Sequence, residues 1–288
     1  MDADLIKRIQ REYNKLTKGQ KLIAEFIINE YDKAAFMTAL TLGETVGVSE
    51  STVVRFAHYL GYEGYKDLQK QLQEIVKNKL TTVQRLYMVN DYSNKESILK
   101  KVMEKDMENI HRTINETDQE AFEKAVNLIL NAKSIYILGL RSSSFLAGYL
   151  GFYLNFLFES VKVISSGVND IFEQLFRAGS EDVIIGISYP RYSKRTLEAL
   201  DFCKEKGCKV ISITDSLISP AAKYSDITLV ATNEMLSFVD SLVAPLSLIN
   251  ALIIALGIEK RQDIRGYFEE LERIWKKYNV YDSNIENK

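Results

Sequence analysis

The chain has 288 residues, of which 46% are hydrophobic and 26% are charged, a balance typical of a soluble globular protein of about two domains. The sequence contains no run of about 18 uncharged apolar residues, and its start has no apolar signal-peptide region. It therefore predicts a cytoplasmic protein with no membrane partner. A net charge of −2 and a pI near 5.9 exclude avid binding of polyanions by the chain as a whole.

The first part of the chain, up to about residue 131, has a helical pattern, because Gly is sparse, Pro is absent and apolar residues recur at intervals of three and four residues. Thr17 and Gln20 fit a capping box at the start of one helix. Its apolar stripe is predicted to consist of Leu22, Ile23, Phe26 and Ile27. The polar stretch Val89–Ser97 is the predicted linker.

Residues 37–62 (MTALTLGETVGVSESTVVRFAHYLGY) contain two short helical patterns on either side of Gly47. Thr38 and Ser49 are each placed to cap one of these helices, and Gly47 permits a tight turn between them. The second helix buries apolar residues and turns polar ones outward. The predicted buried face comprises Val48, Val53, Phe56 and Leu60, and the predicted DNA-binding residues are Ser49, Ser51, Thr52, Arg55 and His58.

This pattern is typical of a helix-turn-helix. Hydroxyl groups at a helix N-terminus suit phosphate contacts, and Arg55 is long enough to reach a guanine edge or a phosphate. An ordinary helical hairpin with solvated polar residues is the alternative. Charge does not decide between them, because residues 1–77 carry 11 Lys and Arg and 11 Asp and Glu. A local basic cluster near the start would still attract DNA: Lys7, Arg8, Arg11, Lys15, Lys18 and Lys21.

From Ala132 onward, short β-branched runs alternate with helical patterns. Five such runs occur: SIYILGL, VKVIS, DVIIGIS, CKVISIT and DITLVAT. Strands that alternate with helices in this way predict a doubly wound α/β domain with a five-stranded parallel sheet, closed by two C-terminal helices. The predicted domains are a helix-turn-helix domain over residues 1–77, a helical connector over 78–117 and the α/β domain over 118–288.

Two serine-rich turns follow strands of this predicted sheet. Ser142, Ser143 and Ser144 lie between a strand and a helix, and Ser188 to Ser193 lie in a second turn of the same kind, to which Arg191 adds a positive charge. Helix-start N–H groups together with hydroxyls can bind an anion without a metal. Serine is also a common helix cap, which is the plainer interpretation of both turns.

The residues quoted so far resemble those of the RpiR family of bacterial transcriptional regulators over nearly the whole length. GVSESTVVRFAHYLGYEGYKDLQ resembles that family's helix-turn-helix signature, and the remainder resembles a SIS (sugar isomerase) domain of flavodoxin-like fold that binds phosphosugars. The resemblance implies operator DNA and a phosphosugar effector as partners. It implies no cofactor.

The family's first loop is often G-x-G-x-S-x-x-x-A, and here Ser143 takes the position of the phosphate-binding serine while Arg141 replaces the second glycine. The second loop is often S-x-S-G-x-T. There Ser188 and Ser193 match hydroxyl positions, whereas Pro190 and Arg191 depart from Ser-Gly.

A phosphosugar isomerase with an N-terminal interaction module is the alternative function. Such an enzyme needs a base for proton transfer between C1 and C2. Neither His58 nor His111 is placed for that role, and Glu234, after the fifth strand, is the acid that could be nominated. The sequence therefore favours a sensor over an enzyme and predicts no catalytic residue. A purely structural helical adaptor is a weaker third alternative, since it gives the serine loops no role.

Cys203 and Cys208 are predicted to be reduced packing residues, and no metal site is predicted. The apolar helix Ser144–Glu159 has more aromatic and leucine residues than one sheet face would cover. A homodimer or a dimer of dimers is therefore expected.

Overall fold

A computed structural model describes residues 12–77, 97–167 and 169–281, together with positions 5, 8, 9 and 85. The described residues form two compact units, one within residues 1–95 and 236–238 and the other within 96–235 and 239–281. Most of the predicted linker Val89–Ser97 lies outside the described residues, and the boundaries at 77/78 and 117/118 stay predictions.

The first unit is helical, as predicted. It contains a short 3₁₀ turn at Tyr13–Lys15 and helices α1 (Lys18–Asn29), α2 (Tyr31–Ala34), α3 (Ala39–Val46), α4 (Glu50–Tyr59) and α5 (Tyr65–Lys77). Their buried side chains form one hydrophobic cluster around Phe56 and Leu42. This cluster fixes how α3 and α4 pack on each other.

The capping box at Thr17 is confirmed, because the Thr17 hydroxyl accepts from the Gln20 N–H and the Gln20 side chain accepts from the Thr17 N–H. The predicted apolar stripe of α1 is wrong at Leu22, which is 40% exposed. Ile23 and Ile27 are buried and Ala24 joins them, so the stripe turns toward the Ala24 side of the helix.

The second unit is the predicted α/β domain. Its helices are α6 (Ile98–Glu116), α7 (Gln119–Leu130), α8 (Ser143–Leu157), α9 (Ile171–Leu175), α10 (Lys194–Glu205), α11 (Val243–Glu259) and α12 (Arg261–Tyr278), and a 3₁₀ turn spans Ala222–Tyr224. Its strands are β1 (Ile135–Gly139), β2 (Val161–Ile164), β3 (Val183–Ile187), β4 (Lys209–Thr214) and β5 (Ile227–Val230).

All four strand pairs are parallel, and the strand order is β2-β1-β3-β4-β5. This is the flavodoxin-like order. Side chains alternate between two cores: Ile135 and Ile137 of β1 join one cluster, and Tyr136 and Leu138 join the other. Helices therefore cover both faces of the sheet, which confirms the doubly wound prediction.

Cys203 lies in α10 and Cys208 directly before β4, and both are buried free thiols. Over the described ranges, no group of three or more His, Cys, Asp or Glu side chains is arranged to hold a metal ion.

Within the same ranges, no single helix has both the length and the apolar character to cross a membrane. Val243–Glu259 and Ile264–Tyr278 meet that test only as a pair bent by 110°.

Candidate DNA-binding and phosphate-binding sites

The predicted helix-turn-helix is formed by α3, α4 and the turn between them. Thr38 caps α3, and Ser49 caps α4 by accepting from the N–H of Thr52 at 3.3 Å. Gly47 ends α3 with φ of 76°, a backbone conformation that glycine adopts without steric cost. The caps and the turn are therefore confirmed.

The start of α4 carries a cluster of hydroxyl groups. Ser49 Oγ lies 2.9 Å from both Ser51 Oγ and Thr52 Oγ1. Ser49 and Ser51 are exposed, whereas Thr52 is half-buried and therefore not fully outward-facing as predicted. Exposed hydroxyls beside the free N–H groups of a helix start match the donors that phosphate oxygens accept from.

The two candidate DNA contacts with long or aromatic side chains, Arg55 and His58, extend toward opposite ends of α4. Arg55 is exposed, and its Nε donates to Ser51 O at 3.2 Å, so the guanidinium lies toward the start of the helix. His58 is exposed in the last turn, with Nδ1 3.1 Å from Tyr62 O. Arg55 therefore joins the hydroxyl cluster, whereas His58 lies at the opposite end of the helix.

Gly43 in α3 is a structural requirement of this motif that the sequence analysis did not identify. A Cβ at this position would lie 2.8 Å from Val48 O, so only glycine lets the turn approach α3 this closely. The signal was available in the sequence as a glycine in the middle of a predicted helix.

The predicted basic cluster is only partly described, since Lys7 and Arg11 lie outside the described residues. Lys15 forms an ion pair with Glu12 at 3.0 Å, and Tyr59 Oη donates to the same carboxylate at 3.1 Å. These hydrogen bonds hold the pKa of Glu12 below its ordinary value. Lys15 is therefore already paired in this structure.

In the first serine loop, the three hydroxyls have different surroundings. Ser142 Oγ donates to Asp240 at 3.4 Å, and Ser144 Oγ donates to Arg141 O at 2.6 Å. Ser143 is only 5% exposed, and its hydroxyl makes no hydrogen bond within the described ranges. A side chain at Gly139 would collide with the carbonyl oxygen of Ser143, so the strand end and the helix start are in close contact.

The second serine loop connects β3 to α10. Ser193 caps α10 by accepting from the Thr196 N–H at 3.4 Å, as expected for a helix cap. Ser188 is 3% exposed, and no side-chain hydrogen bond of Ser188 occurs in the described part of the chain. Among the serines of the two loops, Ser143 and Ser188 are thus those whose hydroxyls make no hydrogen bond with the described part of the chain.

The two loops lie side by side. They follow β1 and β3, which are neighbours in the sheet. The next strand after β1 along the chain, β2, lies on one side of β1, and β3 lies on the other side, so the strand order reverses at β1. The crevice at such a switch point, at the carboxyl ends of the strands, is where open α/β sheets bind their ligands.

Arg141 and Arg191, which stand where the family pattern has glycine, both adopt positive φ values, 57° and 69°. A left-handed backbone costs a residue with a side chain roughly 1–2 kcal/mol. Each loop therefore keeps the backbone conformation that glycine favours and adds an exposed guanidinium, one per loop. The sequence shows the replacement, but only the structure shows that the backbone is retained.

Glu234 is held in an ion-pair network and does not lie free in the crevice. Its carboxylate pairs with Lys105 at 2.6 Å and with Arg112, both on α6. Although burial works to lower it, the pKa of Lys105 is raised by hydrogen bonds to Glu234 and Glu108. Both carboxylate oxygens of Glu234 are thus engaged by side chains of α6.

The fold and the sites together define a helix-turn-helix protein that carries a second, flavodoxin-like α/β domain. The helix-turn-helix domain of the rpiR family matches residues 3–79, and the SIS domain matches residues 128–255. The chain belongs to the RpiR family of helix-turn-helix transcriptional regulators with a SIS domain.

Individual relatives agree with this assignment. An uncharacterised HTH-type transcriptional regulator of Clostridium perfringens is 27% identical over 231 residues, covering 80% of this chain and 82% of that protein. The sugar isomerase domain of an RpiR transcription factor from Sphaerobacter thermophilus superposes with a TM-score of 0.59 at 29% identity, over 62% of this chain and 99% of that one. Vibrio vulnificus NanR, solved with ManNAc-6P, has the same fold over 97% of this chain and 100% of its own, with a TM-score of 0.58 at 19% identity.

Proposed function

We propose that this protein is a transcriptional regulator that binds double-stranded operator DNA through α4 and that a phosphosugar bound at the two serine loops modulates this binding. The observation that carries the proposal is the pair Ser143 and Ser188. Both are buried, neither hydroxyl is used by the described part of the fold, and they follow adjacent strands at the switch point. The NanR complex with ManNAc-6P gives a precedent for a phosphosugar on this fold.

The phosphate is proposed to bind at the start of α8 and in the turn before α10. The hydroxyls of Ser143 and Ser188 donate hydrogen bonds to the phosphate. The other serines of the proposed site lie in the same two loops: Ser142, Ser144 and Ser193. Arg191 supplies a positive charge from the second loop. Hydrogen bonds to a charged oxygen are the stronger kind, so two of them hold a phosphate without a metal.

For the operator, the proposed contacts divide by their chemistry. Ser49, Ser51 and Thr52 contact the phosphate backbone, and Arg55 contacts a phosphate or a guanine edge. His58, at the far end of α4, is proposed to contact the DNA backbone at most.

The isomerase alternative has less support. The acid nominated from the sequence, Glu234, is engaged by Lys105 and Arg112, and His111 is exposed on α6. We therefore propose that the SIS domain binds its phosphosugar without converting it.

Three measurements on the same protein test the function. A thermal-shift screen against hexose and pentose phosphates identifies the effector, with the free sugars and inorganic phosphate as controls. DNA selected by the protein from a random pool is then titrated with and without that effector, beside an isomerase assay. Turnover of the effector, or DNA binding that no phosphosugar changes, contradicts the proposal.

We further propose that the regulator is a homodimer, or a dimer of dimers, paired through α8. Phe145 and Phe152 on this helix are 76% and 59% exposed, and Tyr153 lies beside Phe152. Burying such rings against a second copy is favourable. Light scattering at micromolar concentration should give at least twice the 32.9 kDa chain mass, and a monomeric mass contradicts this proposal.

A further inference from the structure

Two adjacent residues in the segment between β5 and α11 connect the first serine loop to α6. The Asp240 carboxylate accepts from Ser142 Oγ at 3.4 Å, and Ser142 directly precedes α8. The next residue, Ser241, donates to the Asp106 carboxylate on α6 at 2.6 Å. One dipeptide therefore contacts the start of α8 with its first side chain and α6 with its second.

The carboxylate of Asp240 lies at the anion-binding end of α8. The N–H groups at the start of a helix attract a carboxylate for the same reason that they attract a phosphate. Beside Ser142, Ser143 is only 5% exposed, and its hydroxyl has no hydrogen-bond partner in the described part of the chain. The start of α8 thus has one hydroxyl that an internal anion engages and a second hydroxyl that the described residues leave unused.

A phosphate at this loop and the carboxylate of Asp240 repel each other. Like charges within roughly 6 Å disfavour each other, and the effect is larger where the groups are partly removed from water. Asp240 is half-buried, so solvent and salt screen the repulsion only in part. Phosphate binding is therefore favoured by an arrangement in which Asp240 has moved away from Ser142.

The segment that contains Asp240 is also bound to α6 nearer to β5. The Asn109 side chain bonds the backbone N–H and C=O of Glu234, at 3.2 and 2.9 Å. One turn further along α6, Thr113 Oγ1 accepts from the N–H of Thr232 at 2.9 Å. In chain order, α6 is the first described helix after the helix-turn-helix unit. A shift of the segment at Asp240 therefore acts on the helix through which the α/β domain joins the rest of the chain.

We propose that Asp240 is an internal competitor of the phosphate at the first serine loop, and that its displacement by the phosphate carries the ligand signal to α6. The inference rests on the proposed function and adds the regulation of the same site. The contact between Asp240 and Ser142 stabilises the arrangement described here. The phosphate favours the other arrangement, because it takes over the donors and repels the carboxylate. A ligand shifts a conformational equilibrium only through such a difference in contacts.

Asp240→Asn tests the inference, because it removes the charge and keeps the shape of the side chain. We expect calorimetric titration to show that this variant binds inorganic phosphate about three- to thirty-fold more tightly than wild type, since the repulsion is gone. Asp240→Glu restores the charge and should restore the weaker binding. Asp201→Asn removes an exposed carboxylate of α10. It is the matched control for net charge and should bind phosphate like wild type.

The second readout is DNA affinity in the absence of any ligand. Without the charge of Asp240, the ligand-free protein shifts toward the arrangement that phosphate favours. The DNA affinity of ligand-free Asp240→Asn should therefore move toward the value that wild type has when saturated with the sugar phosphate giving the largest shift in the thermal screen. The remaining response of this variant to that sugar phosphate should be smaller. Asp201→Asn should behave like wild type in both states.

The outcomes separate this inference from the proposed function. Phosphate affinity in Asp240→Asn that is no higher than in wild type overturns the inference, and so does an equal gain in Asp201→Asn. Ligand-free DNA affinity and a ligand response that both match wild type in Asp240→Asn overturn it as well. Wild-type protein that binds neither inorganic phosphate nor any sugar phosphate overturns the proposed function. Wild-type binding together with an unaltered Asp240→Asn overturns this inference alone.

Discussion

Arg55 illustrates how a single exposed residue separates the DNA-binding interpretation from the solvated hairpin. Its side chain lies on the surface of α4 and contributes nothing to the hydrophobic cluster of the first unit. Arg55→Ala should weaken operator binding by about 1–3 kcal/mol and leave the melting temperature unchanged. Fluorescence anisotropy with the selected DNA measures the first, and thermal unfolding the second.

Two further variants sharpen this prediction. Arg55→Lys keeps a phosphate contact but loses a bidentate contact to guanine. Operator affinity close to wild type in this variant indicates a phosphate contact, and a loss like that of Arg55→Ala indicates a contact to guanine. Lys33→Ala removes an exposed cation that is paired with Glu30 and serves as the matched control. Equal losses in Arg55→Ala and Lys33→Ala would indicate non-specific attraction, and no loss in either would return α3 and α4 to the hairpin interpretation.

Arg191 has both a strained backbone conformation and a positively charged side chain. With φ of 69°, it occupies a conformation that glycine adopts freely. Arg191→Gly should therefore change the free energy of unfolding by no more than about 1 kcal/mol, because relief of strain offsets the larger entropy of unfolded glycine. The same variant should bind the phosphosugar about ten-fold more weakly, roughly 1.4 kcal/mol. Calorimetric titration and denaturant unfolding measure the two effects, and a large loss of stability with unchanged affinity would contradict the prediction.

At the scale of elements, the strands and helices of the α/β domain were predictable because their signals are local. Runs of β-branched residues define β1 to β5, and the caps Thr38, Ser49 and Ser193 mark helix starts. The error at Leu22 has a physical cause. The spacing of apolar residues is compatible with either Leu22 or Ala24 on the buried face of α1 beside Ile23 and Ile27, and only the packing against other helices determines which one is buried.

The surroundings of α6 could not be predicted from local signals. Asn109 and Thr113 read as polar surface residues in an amphipathic helix, yet both are buried. Their partners, Glu234 and Thr232, lie more than a hundred residues later in the chain. Likewise, nothing in the sequence indicates that Ser144 has a hydrogen-bond partner whereas Ser143 and Ser188 have none among the described residues.

The bond between α6 and the segment after β5 has a testable energetic role. Asn109→Ala leaves the N–H and C=O of Glu234 without their partners, so the second unit should lose about 1–3 kcal/mol of stability. Asn131→Ala is the matched control, since that side chain bonds only within its own exposed turn. If α6 transmits the ligand signal, Asn109→Ala should also bind the effector within about two-fold of wild type but respond to it less on DNA. Equal stability in both variants would contradict the energetic role.

For the whole molecule, sensing requires that ligand and DNA affect each other through two arrangements of one protein. The ligand must prefer one arrangement and the operator must discriminate between them, and the coupling free energy is the same in either direction. Two domains that only share a chain show no such coupling. The decisive variants are therefore those that remove ligand contacts in the SIS domain, and the quantity to measure is their affinity for operator DNA as effector is added.

Ser143→Ala and Ser188→Ala are these variants. Each removes a proposed donor to a charged phosphate oxygen, a contribution of roughly 1.5–3 kcal/mol, so effector affinity should fall about ten- to a hundred-fold. DNA affinity without effector should stay at the wild-type value, because neither serine lies in the helix-turn-helix. Operator affinity is measured across an effector titration for wild type, both variants and Ser247→Ala, whose hydroxyl bonds within α11. The response should shift to higher effector concentration in the two loop variants and stay unchanged in the control. Identical responses in all four proteins would show that these serines are only part of the helix starts, and the effector would then have to act elsewhere on the SIS domain.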